Sequence, residues 1–187
     1  LYFLPHVTLA AASALVWNWI YHPDLGLLNY LLGRIGIDGP PWLHSTTWAM
    51  PSVIIMSNWM GIAPAILIIL AGLQGIPSEL LEAAELDGAN AMRKIWHVTL
   101  PMISPVIFFN VIVGLIGAFQ YFVEPWVMSN GTGSPADSLL MMSMYLYQSA
   151  FQFFKIGYAS AQAWVLFLIV IVFTTILFRV SGRLVYY

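Results

Sequence analysis

The sequence predicts an all-α polytopic membrane protein with about four transmembrane helices. Of its 187 residues, 60% are hydrophobic and only 7% are charged. A soluble domain carries roughly a quarter charged residues, so this chain cannot cover a water-facing surface and lipid must be its main solvent. Residues 1–21, 48–76, 102–123 and 157–178 contain no formal charge. Crossing hydrocarbon takes about 20 mostly apolar residues in helical form, because every backbone polar group must be satisfied internally.

The elements follow in order. Residues 1–21 are the first expected span. They enter an apolar run at Leu1 with no charged region before it and no small-residue cleavage site after it. That is not a signal peptide, and an upstream portion is expected to be missing. Residues 22–47 hold Gly26, Gly33, Gly36, Gly39 and Pro40-Pro41 and read as a structured, non-spanning loop. Residues 48–76 are the second span, 77–101 a charged segment and 102–123 the third span. Residues 124–137 carry the turn cluster Asn130-Gly131-Thr132-Gly133-Ser134-Pro135. Residues 138–154 are apolar, short and aromatic-rich, as expected of a partly inserted or interfacial helix. Residues 157–178 are the fourth span. There is no internal repeat and no low-complexity tract.

The charged segment is a helix former. Pro77 ends the preceding span, and Ser78 is placed to N-cap a helix with Glu79 in its first turn. The run Leu80-Leu81-Glu82-Ala83-Ala84-Glu85-Leu86 has high helix propensity. Gly88 suits a left-handed C-terminal turn. Asn90 can cap a second helix over residues 91–98, carrying Arg93 and Lys94, before Pro101 and Pro105 return the chain to the membrane. Two readings stand on spacing alone. Small Ala83 and Ala84 beside Glu82 suit a short helix lying in the groove of a soluble protein. The same residues would also serve a solvated hairpin that only joins two spans.

If the charged segment faces the cytoplasm, so do both termini. Arg93, Lys94, Arg179 and Arg183 then lie inside, with Arg34 and Lys155 outside. This is the bias of the positive-inside rule. Trp42, Trp48, Trp126, Tyr145 and Tyr147 would sit at the outer interface.

Several classes are excluded. A net charge of −2 does not make a nucleic-acid surface. With no cysteine, disulfide and thiolate chemistry are absent. His6, His22, His44 and His97 are scattered without metal-ligand spacing, and no His-Glu-x-x-His or Gly-x-Ser-x-Gly pattern occurs. Lys94 and Lys155 are the only lysines and neither follows Gly, so no phosphate-cradling loop exists. The chain is therefore not expected to be an enzyme.

Glu82-Ala83-Ala84, three residues, Gly88, nine residues and Val98-x-Leu100-Pro101 resemble the EAA loop of permease subunits in binding-protein-dependent ABC importers. Asp87-Gly88-Ala89 resembles the carbohydrate-importer version. Tyr2-Phe3-Leu4-Pro5, Val16-Trp17-x-Trp19, Gly26-Leu27-Leu28-Asn29 and Leu73-Gln74-x-Ile76-Pro77 also resemble sugar-permease segments. Ser129-Asn130-Gly131 and Gly157-Tyr158-Ala159-Ser160-Ala161 resemble the maltose- and glycerol-3-phosphate-type first permease. Two features depart from that pattern. The outer turn, usually Gly-Gly-Pro, is Gly131-Thr132-Gly133-Ser134-Pro135, and the two N-terminal spans of a six-helix subunit are expected to belong to the missing upstream portion.

The resemblance implies a single type I importer-like permease domain over residues 1–187, with residues 77–101 as its cytoplasmic coupling loop. By that resemblance Glu82, Ala83, Ala84, Asp87, Gly88, Leu100 and Pro101 couple the chain to an ATPase. Glu82 would pair with a basic residue there. The implied partners are a second permease subunit (a heterodimer), two cytoplasmic ATPase subunits, an extracytoplasmic solute-binding protein and membrane lipid, with no nucleic acid. The chain itself would bind no cofactor or metal, ATP and Mg²⁺ belonging to the ATPase. The implied location is the bacterial inner membrane, and the implied function is import of a sugar or sugar-like solute by alternating access.

Substrate contacts are expected at Ser57, Asn58 and Gly61 on the span before the loop, and at Gly117, Gln120 and Tyr121 on the span after it. Glu124 lies near the outer end. Uncharged polar groups suit sugar hydroxyls and aromatic faces suit sugar rings. The same residues would equally bond or closely pack neighbouring helices. The spans contain no Lys or Arg, which favours a neutral solute. The alternative function is a secondary transporter or channel. It would need intramembrane charges, which the four stretches lack, and it leaves the EAA spacing unexplained.

Overall fold

Long apolar helices with internal prolines set the frame, and hydroxyl side chains mend places where proline interrupts it. The computed structural model describes residues 4–181. Among the described residues every regular element is helical. First come α1 (Leu4–Val7), α2 (Ala10–Ile20), α3 (Leu27–Arg34), a 3-10 turn (Trp42–His44) and α4 (Ala49–Gln74). Next come α5 (Ser78–Leu86), α6 (Ala91–Lys94), a π-turn (Ile95–Thr99) and α7 (Leu100–Phe119). The chain continues through α8 (Val123–Met128), α9 (Met142–Tyr147), a second π-turn (Gln148–Gln152) and α10 (Ile156–Ser181).

Among the described residues, three helical runs are long and apolar enough to cross a membrane: Ala49–Gln74, Ala91–Met128 and Ile156–Ser181. They correspond to the second, third and fourth expected spans, the second being Ala49–Gln74 rather than residues 48–76. The first expected span differs. Its described part is α1 and α2, and α2 has 11 residues, roughly 16 Å at 1.5 Å per residue and about half of the hydrocarbon thickness. The interruption falls at Thr8-Leu9, where Thr8 Oγ1 and Ser13 Oγ share a hydrogen bond of 2.5 Å. A β-branched hydroxyl residue favours such a local bond over helix continuation. Tyr2 and Phe3 lie outside the described residues, as does Arg183, one of the basic residues on which the expected orientation rests.

The third run also differs at both ends. A separate helix over 91–98 is expected, but α6, the π-turn and α7 are continuous. Pro101 cannot donate to the carbonyl of His97 and its ring crowds that oxygen. The wider π-turn, which contains His97, accommodates it. Pro105 likewise leaves the Pro101 carbonyl without a helical partner, and Ser104 Oγ donates to that oxygen at 2.7 Å. At the far end α7 stops at Phe119, and residues 120–122 separate it from α8. Residues 138–154 form only α9 and its π-turn, short as expected.

The chain forms two compact units, Leu1–Ala63 with Phe119–Phe167, and Pro64–Ala118 with Leu168–Tyr187. In the first, Tyr21, Trp42, Val53, Met56, Met128 and Leu139 form a buried core. Tyr21 Oη donates to Ser52 O at 2.8 Å, so the phenol is both packed and satisfied. The loop of residues 22–47 is structured, as its composition predicts. Trp42 Nε1 donates to Asn29 Oδ1 at 2.7 Å, and Asn29 Nδ2 donates to Pro23 O at 2.9 Å. Glycine is required at 39, since a Cβ there would lie 1.9 Å from Asn29 Oδ1. In the second unit the Phe108 and Phe178 rings meet edge to face at 5.1 Å.

Candidate functional site

Two assemblies gather the residues singled out in the sequence. The first is the charged loop, wholly within the second unit. Pro77 is the N-cap of α5 and Ser78 is its first helical residue, with no side-chain cap bond. This corrects the expected Ser78 cap by one position. The fixed φ of proline suits the cap, and the N–H it lacks would have been unsatisfied there anyway.

The helix ends as Gly88 predicts. Gly88 adopts φ +77°, Ala89 N donates to Ala84 O at 2.9 Å and Gly88 N to Glu85 O at 2.9 Å. These are the paired bonds of a Schellman termination, and they need a residue free to adopt left-handed geometry. Asn90 then caps α6, its Oδ1 accepting from Arg93 N at 2.9 Å. Lys94 Nζ donates to the Glu85 carboxylate across the turn, which holds the Glu85 carboxyl below its ordinary range.

Glu82, Ala83, Asp87 and Gly88 are exposed, while Ala84, Leu100 and Pro101 are half-buried. Glu82 makes no ion pair among the described residues. The structure adds three residues that the motif does not mark. Leu86 is 90% exposed, Met92 62% and Trp96 63%. Their signal was legible, because large apolar side chains in a polar loop are out of place unless another surface meets them.

The second assembly is a cleft of about 480 Å³ in the first unit. It is lined by Ser57, Met60 and Gly61 of α4, by Tyr121 and Glu124 around the α7–α8 break, and by residues 6–10. Of the expected pathway residues, Ser57, Gly61 and Tyr121 come together here, joined by Glu124. Asn58, Gly117 and Gln120 are not on this wall. Asn58 Nδ2 donates to Ile54 O at 2.8 Å within its own helix. Gly117 faces open space, since a Cβ added there would meet nothing within 4 Å. Gln120 is exposed in the turn that follows α7.

The break that presents Tyr121 and Glu124 has a local cause. Pro125 has no N–H to give to Tyr121 O, and Ser143 Oγ donates to that oxygen instead, at 2.5 Å. Ser57 Oγ donates to Ile54 O at 3.0 Å. Tyr121 Oη is shielded from solvent and has no hydrogen-bond partner among the described residues. Within α4, Pro64 withdraws the intrahelical partner of the Met60 carbonyl. His6, Thr8 and Met60 are lining residues that sequence reasoning missed; for Met60 the signal was a proline four positions later. The lining residues thus include hydroxyls, one carboxylate and one imidazole, with no Lys or Arg. No group of three His, Asp or Glu able to hold a metal occurs among the described residues.

Residues 1–185 match the family described as binding-protein-dependent transport system inner membrane component. The chain is similar to the probable ABC transporter permease protein YesP of Bacillus subtilis (strain 168). The two are 42% identical over 189 residues, covering 100% of this chain and 60% of that protein. It is also similar to the sulfoquinovosyl glycerol transport system permease protein SmoG of Agrobacterium fabrum (strain C58 / ATCC 33970). There the identity is 35% over 168 residues, covering 90% of this chain and 54% of the other. The chain therefore spans less than two thirds of the length of these curated relatives. Among solved structures, it resembles a chain in the crystal structure of a bacterial alginate ABC transporter in complex with alginate pentasaccharide-bound periplasmic protein. The TM-score is 0.85 at 24% identity, covering 97% of this chain and 63% of that one, a likeness of fold.

Proposed function

The chain belongs to the family of binding-protein-dependent transport system inner membrane components, and from that premise we propose that it is a permease subunit of an ATP-binding-cassette importer for a sugar or sugar-like solute. The observation that carries the proposal is the hairpin of residues 78–99. It joins two long apolar helices and exposes Glu82, Ala83, Leu86, Met92 and Trp96. Its helix, with the Glu82 carboxylate unpaired among the described residues, small residues beside it and an apolar rim, fits helix-in-groove docking on a cytoplasmic ATPase subunit. Glu82 pairs with a basic residue of that groove, and the Gly88 turn sets the angle between the two arms.

Two ATPase subunits bind ATP and Mg²⁺, and a second permease subunit completes the pathway as a heterodimer. An extracytoplasmic binding protein delivers the solute. The complex sits in the inner membrane of a bacterium, the hairpin and the C-terminal end of α10 facing the cytoplasm. Closure of the ATPases moves the hairpin as a rigid body and rocks the attached spans between inward- and outward-facing states. ATP must favour one of these states and its hydrolysis products the other.

The cleft of Ser57, Gly61, Tyr121 and Glu124 forms part of the solute path. Its neutral donors and acceptors suit a hydroxylated, uncharged solute, and a wall bearing a carboxylate but no Lys or Arg disfavours a phosphorylated one. The alternative of a secondary transporter finds no support among the relatives named above, which are ABC and sulfoquinovosyl glycerol transport permeases.

The test is uptake of labelled sugar by the full-length complex in proteoliposomes loaded with ATP. Uptake should require ATP and be lost in Glu82→Lys while membrane insertion persists. Normal uptake by that variant would refute docking through this helix.

A further inference from the structure

The segment leading into α10 places an aromatic side chain where the backbone favours glycine. The π-turn Gln148–Gln152 closes with Phe153 N donating to Gln148 O at 2.9 Å and Lys155 N donating to Ser149 O at 2.8 Å. Between them Phe154 is held at φ +55°. A left-handed residue ending a helical run is ordinarily Gly or Asn, because a Cβ there is strained. The ring gains no burial in compensation. Phe154 is 80% exposed, and Phe151, Phe153, Ile156 and Tyr158 are 64, 55, 68 and 53% exposed. An aromatic that is strained in its backbone and largely exposed is unfavourable on both counts unless an apolar environment receives it.

We propose that Phe151, Phe153, Phe154 and Lys155 form a lipid-interface anchor. The rings seat among the glycerol and upper acyl groups of the bilayer, and the Lys155 ammonium lies among lipid phosphates. Three observations favour lipid as the occupant. First, the tip is continuous with a membrane span. Ile156 begins a helix of 26 apolar-rich residues, roughly 39 Å long and so longer than the ~30 Å of hydrocarbon it crosses. Its first turn and the residues just before it therefore fall at the boundary between hydrocarbon and water. Second, the charge suits lipid phosphate. Lys155 and Arg179 are the formal charges of residues 138–181, with no acid among them, and Lys155 makes no ion pair among the described residues. Third, rings and a cation at the end of a span are the residue types that seat at the bilayer interface, the long Lys155 stem letting its ammonium reach past the neighbouring rings to the phosphate layer. A stack beneath supports the tip, with Phe151 against Tyr147 at 5.0 Å and Tyr147 against Trp126 at 4.9 Å. The inference needs α10 to span the bilayer but is independent of the solute.

Residues 1–187 contain no cysteine, so once any cysteine elsewhere in the full-length permease and its partners is replaced, Phe154→Cys gives one labelling position in the assembled transporter. In nanodiscs of phosphatidylethanolamine and phosphatidylglycerol, a nitroxide at 154 should collide with lipid-dissolved oxygen several-fold more often than with a water-soluble nickel chelate. Preference for the nickel chelate, or shielding from both reagents as under a protein partner, would overturn the anchor. A second variant guards against misfolding. Phe154→Gly relieves the strained backbone while removing the ring. In detergent its Tm should equal or exceed that of the parent, and in nanodiscs it should fall below it. Lower Tm in both media, or no loss in nanodiscs, would contradict the proposal.

Discussion

Lys94 Nζ donates a hydrogen bond to the Glu85 carboxylate across the left-handed turn at Gly88, tying together the two arms of the hairpin that joins α5 to α6. Nine residues separate them in sequence. Only the Schellman termination, with Ala89 N bonded to Ala84 O, folds the chain back sharply enough for them to meet. The pair lowers the Glu85 pKa from its ordinary 4.5, first through the hydrogen bond and then through the charge of Lys94. A group depressed in the folded state contributes above its unfolded pKa, and that contribution is lost as pH falls through the folded one. The clasp should thus be intact at neutral pH and open only below 4.5. Carbon-13 titration of Glu85 should give a midpoint below that of a Lys94→Met variant. Equal midpoints would mean that the pair does not form.

Gly88 sets the turn on which this clasp depends, and its φ of +77° excludes most replacements. Gly88→Ala should destabilise the hairpin by about 1–2 kcal/mol, the cost of a Cβ in the left-handed region. It should lower ATP-dependent uptake in proportion. Gly88→Pro, locked near φ of about −65°, cannot adopt the turn at all and should abolish uptake without preventing membrane insertion. Uptake assays beside a membrane-fraction blot would check both. Full activity of the proline variant would show that the turn is not used.

In the first unit, the Asn29–Trp42 bond holds the loop between α2 and α4. Gly39→Ala would drive a Cβ into Asn29 Oδ1. It should lower stability by about 1–3 kcal/mol through loss of that bond and the unpaired indole left behind. Asn29→Ala should cost a similar amount, and the double variant should lose little more, because both remove one shared contact. Thermal unfolding of the purified protein would measure all three, and additive losses would separate the two residues.

The cleft discriminates between neighbouring pathway residues. Tyr121 lines it and Gln120 does not. Tyr121→Ala should slow solute uptake by about tenfold, as expected for ~1.4 kcal/mol of lost interaction in the path, with ATPase attachment unchanged. Gln120→Ala should leave uptake near normal. The reverse pattern would move the path to the other side of the α7–α8 break.

Much of this was legible in the sequence, and the rest was hidden for identifiable reasons. Spans announce themselves as uncharged runs, so three of them lie where composition puts them. The turn at Gly88 and the Asn90 cap rest on contacts within five residues, and local chemistry fixes them. The break at residues 120–122 lies in an apolar stretch with no local mark except Pro125. It is held by Ser143, 22 residues away from Tyr121 in sequence. The cut between α1 and α2 depends on a Thr8–Ser13 bond that hydropathy cannot register. Asn58, Gly117 and Gln120 share a span with true lining residues, but an apolar helix with a weak polar stripe does not declare which face it turns to a cleft. The clasp was missed because it needs the fold of the turn before its two charges can meet.

The most direct measurement uses the absence of cysteine. With any cysteine outside residues 1–187 and in the partners replaced, Ala83→Cys in the full-length permease, assembled with those partners in membranes, carries one thiol on the exposed face of the hairpin helix. A short thiol-directed photo-cross-linker at that position should capture a nucleotide-hydrolysing subunit, with a yield that changes between ATP-bound and nucleotide-free states. Recovery of no such subunit, with transport-competent partners present, would contradict the assignment of this hairpin as the contact through which ATP hydrolysis moves the spans.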